Sequence, residues 1–286
     1  MTNLKIKIMA GASTALILIM AILTFTFYPA FKVFSKMEKV EVDPHLTLLL
    51  GYGSNSGVLV SDTDDKKTLV IDTKIMGGAT ALNELVGEKS RGGEITVVNT
   101  HYHSDHTGGN KFYKGETILA GAYDREVWDQ DNKPDGEPTE WIKDQKTLQI
   151  GTEKVTILNV GQAHTYQDLV VYLHNRNTLF TGDLVFHHWH PVLRKESGAN
   201  IEKWRQALSD LTSRFRINRA VPGHGAVSDG SLLIMQAAYF ARIENAIYYS
   251  DAEKRLKTLE KRYEDYYSLP FFSGFDKTVE YLRANP

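Results

Sequence analysis

The chain has 286 residues, 42% of them hydrophobic, and a formal net charge of -2. That apolar content suffices for one sizeable buried core or two small ones, and the charge balance lacks the basic excess of a nucleic-acid-binding face. Cysteine is absent, which excludes disulfides and thiolate ligands, so any metal here is held by nitrogen and oxygen.

Residues 8–31, between Lys7 and Lys32, carry no charge. A run of that length can cross a bilayer as a helix, for which roughly 20 apolar residues are needed. It exceeds a secretory core of about 7–15 residues, and Tyr28-Pro29-Ala30 puts tyrosine where a cleavage site wants a small residue. Residues 1–35 therefore read as an uncleaved signal anchor first, a cleaved signal peptide second and a core helix third. An anchor with its N-terminus inside would export residues 36–286 as one domain, tethered to the membrane on the periplasmic or extracellular side; cleavage would secrete it.

Residues 32–45 read as a short charged linker. Strands are expected at 46–52 and 56–60, around a Gly/Ser/Asn turn, and at 68–71, ending at Asp72. A helix over 77–90 follows, with Ala81, Leu82, Leu85 and Val86 on one face, then a β-branched strand at 94–99. The polar stretch 122–144, with Trp128 and Trp141, reads equally as a loop over a site or a solvated connection. Strands return at 145–150, 153–160, 168–174 and 178–181. Residues 200–215 read as a helix with Ile201, Trp204, Leu208 and Leu211 at core spacing. Arg219-Ala220-Val221 is a last short strand, and helix extends from Asp229 to about 267. Strand groups alternate with helices in two similar halves, which suggests two packed sheets with helices outside.

The stretch His101-Tyr102-His103-Ser104-Asp105-His106 stands where the strand at 94–99 gives way to a helix. In extended backbone, positions i, i+2 and i+4 point one way, which converges His101, His103 and Asp105 while His106 turns off at the helix start. Three imidazoles and a carboxylate form a donor set suited to zinc and similar borderline ions. Three further residues lie at expected strand ends beside glycines: His164 after Gly161, Asp183 after Gly182 and His224 after Gly223. Strand ends are where α/β architectures place their sites.

In this order, His101-x-His103-x-Asp105-His106, His164, Gly182-Asp183 and Gly223-His224 resemble the metallo-β-lactamase-fold hydrolase superfamily over roughly residues 40–230, and Asn55-Ser56-Gly57 and Val70-Ile71-Asp72-Thr73 are similar to its opening strands. The resemblance implies a four-layer αβ/βα sandwich with two metal ions in a shallow cleft. It implies that His101, His103 and His164 hold one ion and Asp105, His106 and His224 the other, with Asp183 bridging and Asp72 bracing the motif loop. Zinc β-lactamases carry cysteine or serine at the bridging position, whereas hydrolases of thioesters, lactones and phosphodiesters carry aspartate. By that criterion the chain resembles the glyoxalase-II-like branch, and small exported members labelled quinoprotein relay system zinc metallohydrolases in particular.

The activity so implied is that of a dinuclear zinc hydrolase cleaving a small-molecule ester, thioester, lactone or lactam, with iron or manganese as other occupants. Asp105 would orient the hydroxide nucleophile and carry a proton to the leaving group. Alternatives are a mononuclear iron oxidoreductase of the persulfide-dioxygenase type, β-lactamase-type activity, and a tethered non-enzymatic binding protein. His187, His188 and His190 read either as cleft residues or as a partly exposed loop, and Tyr166 and Trp141 as minor cleft candidates. The tail aromatics Tyr263, Tyr266, Tyr267, Phe271, Phe272 and Phe275 are expected to pack on the domain rather than meet a ligand.

Overall fold

A computed structural model describes residues 36–129 and 136–285. The apolar run at 8–31 lies outside the described residues; among these, no helix is long and apolar enough to cross a membrane. The first sheet takes seven strands in sequence order: β1 (Met37–Asp43), β2 (Leu46–Gly51), β3 (Ser56–Val60), β4 (Thr68–Ile71), β5 (Ile95–Val98), β6 (Thr117–Gly121) and β7 (Glu140–Ile142). Its first four strands pair antiparallel, and β4 to β7 pair parallel, with helix α1 (Met76–Ser90) crossing between β4 and β5. The second sheet runs β12-β11-β10-β9-β8, from β8 (Gln145–Ile150), β9 (Glu153–Gly161), β10 (Asp168–Leu173), β11 (Thr178–Phe186) and β12 (Arg219–His224); only β11 and β12 pair parallel.

Strand alternation sorts side chains into layers. On β4, Leu69 and Ile71 face the second sheet, while Val70 faces Leu82, Leu85 and Val86 of α1. On β10, Leu169, Val171 and Leu173 join the same inter-sheet core, while Val170 and Tyr172 face outward. There they meet α4 (Ile201–Arg214), α5 (Ser231–Ile247) and α7 (Phe275–Ala284), through Trp204, Leu208, Phe240 and Val279. The order is thus helix, sheet, sheet, helix. Strands β4 and β10, buried along their whole length, read as near-continuous apolar runs, as doubly covered strands do.

Three expectations need correction. Residues 37–43 are not linker: they form edge strand β1, whose Val40 and Val42 pack against the inter-sheet core between exposed lysine and glutamate. The stretch 122–144 contains a short helix, α3 (Arg125–Trp128), and β7, paired parallel to a strand, β6, that was not expected. The C-terminal helix is broken: α5 ends at Ile247, α6 (Ala252–Arg262) follows, and α7 lies beyond a turn region.

Candidate metal centre

The seven residues arrive from both sheets. His101 follows β5, and Thr100 before it donates its N–H to Asp72 Oδ1 at 2.7 Å and its hydroxyl to Oδ2 at 2.8 Å. Asp105 and His106 lie on the single-turn helix α2 (Ser104–Thr107), with His103 at its N-cap. His164 sits in the loop after β9, where Thr165 N–H and hydroxyl bind the buried Asp168 carboxylate. His224 ends β12. Asp183 is not at a strand end, as expected, but inside β11, brought there by an irregularity in its pairing with β12. Two glycines make room: Gly182 has φ +51 and a Cβ there would lie 2.5 Å from Thr100 Oγ1, while a Cβ on Gly223 would collide with Asp183 Oδ1.

The ligand-type atoms form two groups that could each hold a metal ion: His101, His103, His164 and Asp183, and Asp105, His106 and His224. In the first, His103 Nδ1 lies 3.0 Å from His101 Nε2 and 3.1 Å from His164 Nε2, and Asp183 Oδ2 is 3.4 Å from His164 Nε2. In the second, His224 Nε2 is 3.3 Å from Asp105 Oδ2, and His106 Nε2 is 3.6 Å from it. Asp183 Oδ1 reaches this group too, 3.1 Å from His106 Nε2 and 3.3 Å from His224 Nε2. Nitrogen and oxygen ligands at about 2.0–2.2 Å from a tetrahedral ion are separated by roughly 3.3 Å, so these spacings fit a cation at each centre. Buried His106 Nε2 and Asp183 Oδ1 have no hydrogen-bond partner, which also fits atoms aimed at an ion.

Charge divides the two groups. Burial pushes the His103 imidazole down to about 4, His164 to about 3 and His101 well below its usual range, keeping all three neutral, as ligation requires. Against the same burial, the carboxylates of Asp72, Asp183 and Asp105 hold His106 well above its usual range, and Asp183 and Asp105 hold His224 up at about 9. Burial would raise the Asp183 and Asp105 carboxyls, but the neighbouring histidines win and hold both well below the usual range.

A surrounding shell fixes the ligands. Asp72 Oδ2 lies 2.8 Å from His106 Nδ1, as the bracing role expected for Asp72 requires, and Ser197 Oγ lies 3.2 Å from His103 Nε2. The loop after β2 clamps both ligand loops of the second group. Ser54 Oγ donates to Asp105 O at 2.6 Å; Asn55 donates its N–H to Gly223 O at 2.8 Å and its side-chain amide to Pro222 O and Gly225 O at 2.8 and 2.9 Å. Lys74, fully buried, donates to Gly51 O at 2.6 Å and to Ser54 O, and burial lowers its ammonium to about 7. Ser197 and Lys74 escaped the sequence reading: a lone serine carries no signal, although a lysine within Ile71-Asp72-Thr73-Lys74-Ile75 was an available one.

A cleft of about 550 Å³ opens on His103, Asp105, Asp183 and His224. Phe186 stacks on the His224 ring (5.3 Å, 5°), and Trp189 lies 5.1 Å from it. Neither His187, His188 nor His190 lines this cleft. His187 Nδ1 bonds Ala226 O, His188 pairs with Asp265, and His190 Nδ1 bonds Tyr239 Oη at 2.7 Å. Tyr166 and Trp141 do not line it either; Trp141 packs on Trp128. Among the tail aromatics, Tyr263 is buried in the core as expected, but Phe272 lines the cleft.

Residues 49–224 match the family model described as the metallo-beta-lactamase superfamily. The chain belongs to that superfamily. Within it, the chain is 31% identical over 193 residues to a metallo-beta-lactamase type 2 from Bacillus cereus, covering 65% of this chain and 74% of that one. It is 29% identical over 142 residues to a hydroxyacylglutathione hydrolase from Dictyostelium discoideum, covering 46% of this chain and 48% of the relative. Among solved structures, a metallo-beta-lactamase from Pontibacter korlensis superposes with a TM-score of 0.61 at 21% identity, covering 71% of this chain and 98% of that one. This superfamily member is a metal-dependent hydrolase, with the mixed α/β, two-sheet fold of the family.

Proposed function

We propose that the chain is a dinuclear zinc hydrolase of small-molecule esters, thioesters, lactones or lactams. In this reading His101, His103 and His164 hold one ion, Asp105, His106 and His224 the other, and Asp183 spans both. The observation that carries it is the Asp183 carboxylate, one oxygen within 3.1 and 3.3 Å of two histidines of the second group and the other within 3.4 Å of a histidine of the first. Bound there, the ions would act as Lewis acids on the substrate oxygen and lower the pKa of water toward about 7.

The chain's own residues supply the rest. Asp105, whose side chain is partly exposed to the cleft while its backbone is held by Ser54, orients the attacking water and passes a proton to the leaving group. Phe186 and Trp189 form an apolar wall beside His224 that limits water at the reacting centre. An aspartate at position 183 favours thioester and lactone substrates by resemblance, while the similarity to metallo-beta-lactamases makes lactams the second class to screen. Residues 8–31 act, in the same reading, as the anchor that holds the exported hydrolase at the membrane.

Elemental analysis of the full chain, purified without added metal, tests the metal count. Two zinc ions per chain, with hydrolysis lost on chelation and lost in D183N, is the expected result. One iron per chain with no hydrolysis overturns the proposal and points to sulfur oxidation.

A further inference from the structure

We infer that the cleft receives a neutral lipophilic substituent of the substrate, and that the C-terminal turn at residues 269–273 is the element that selects it; this rests on the hydrolase reading above. The turn lies beyond the residues matched to the family, which end at 224, and contributes Leu269 and Phe272 to the cleft. It is held there by backbone. Tyr267 N–H donates to His188 O at 2.8 Å, His190 N–H donates to Tyr267 O at 2.9 Å, and the Trp189 and Tyr267 rings meet at 4.4 Å. The turn then closes on itself: Phe272 and Ser273 N–H both donate to Leu269 O at 3.0 Å, and Leu269 N–H donates to Ser273 Oγ at 2.9 Å. This explains the His187–His190 segment, whose backbone tethers the tail and whose Trp189 alone faces the cleft.

The tether brings Leu269 and Phe272 to one wall, facing a cleft also lined by Tyr52, Ile75 and Met76. Met76 is 76% and Phe272 56% exposed, a large apolar area to leave in water unless something covers it. The occupant is the substrate, because the same cavity is continuous with His103, Asp105, Asp183 and His224. Its substituent is uncharged, because the wall it meets at Ile75, Met76, Leu269 and Phe272 offers no ionic partner.

The test uses the full zinc-loaded chain with p-nitrophenyl esters from acetyl to octanoyl. Each methylene buried at about 0.8 kcal/mol multiplies kcat/KM by about fourfold, so a rise of at least tenfold across the series is expected while the group stays in the cleft. F272D, and independently M76D on a position already at positive φ, reduce the octanoyl-to-acetyl ratio at least fivefold. In an active enzyme, a flat series or an unchanged ratio in both variants overturns the inference. If no ester, thioester, lactone or lactam is turned over, the hydrolase reading has failed, and binding of the neutral fluorophore N-phenyl-1-naphthylamine decides the cleft separately. Binding weakened at least fivefold by either variant supports an apolar site, and equal binding by all three chains overturns it.

Discussion

Replacing Asp72 by asparagine keeps the volume of the side chain and removes one acceptor. At present Oδ1 accepts from Thr100 N–H at 2.7 Å, and Oδ2 faces the Thr100 hydroxyl and His106 Nδ1, both at 2.8 Å. A carboxylate accepts on both oxygens, so when an ion binds, His106 keeps its hydrogen on Nδ1 and gives up the one on Nε2, which faces Asp183 and Asp105. Asparagine has one acceptor and one donor. With its oxygen kept on Thr100 N–H, its amide faces His106 Nδ1 and forces the hydrogen onto Nε2, where it blocks ligation. Flipped, its amide opposes Thr100 N–H, donor to donor. Partners of this kind are worth about 10–100-fold in metal affinity, or roughly 1.4–2.8 kcal/mol. Competition titration of D72N with a zinc chelator is therefore expected to show one of two binding constants weakened by that factor and the other changed less than threefold, since Asp72 does not contact His103 or His164. Two unchanged constants would refute the tautomer argument, and equal weakening of both would show that Asp72 acts on the loop as a whole.

Gly223→Ala drives a methyl into Asp183 Oδ1; displacing that carboxylate by about 1 Å is expected to lower kcat/KM at least 100-fold while circular dichroism stays that of the wild type, and near-normal activity would show that Asp183 tolerates movement. Burial pushes His190 down to about 4, whereas in the unfolded chain it titrates near about 6.5. As pH falls through that window the unfolded chain takes up a proton that the folded chain refuses, so stability declines. His190→Asn keeps a polar atom toward Tyr239 Oη, and urea denaturation under chelation between pH 7 and 4.5 is expected to show a shallower decline for the variant; parallel curves would contradict it.

The motif residues were legible because each carries its own chemistry: His101, His103, Asp105, His106, His164, Asp183 and His224 all fall within the two groups the structure brings together. The layers were legible from β-branched runs such as Ile95-Thr96-Val97-Val98 and from the Trp204, Leu208 and Leu211 stripe. Strand β1 was not, because an edge strand shows one face to water and its two inward valines are outnumbered by charges. The position of Asp183 within β11 depends on a register shift against β12, a property of two strands together. The cleft was the least legible part. His187, His188 and His190 drew attention as titratable groups, yet Trp189 between them faces the cleft, and whether Phe272 packs or lines depends on the pairing of Tyr267 with residues 188 and 190.

The ligands are divided between the halves of the chain: His101, His103, Asp105 and His106 come from the first sheet, and His164, Asp183 and His224 from the second. Neither half completes either group. A cation at either centre therefore joins the two sheets at the rim of their interface, alongside the few bonds Asn55 makes across it. Free metal concentration then becomes a variable of folding: a site at 1,000 times its dissociation constant adds about 4 kcal/mol to the cohesion of the halves, and chelation withdraws it. For such a chain, metal starvation acts on abundance as well as on turnover, because the sheets open more often to proteolysis.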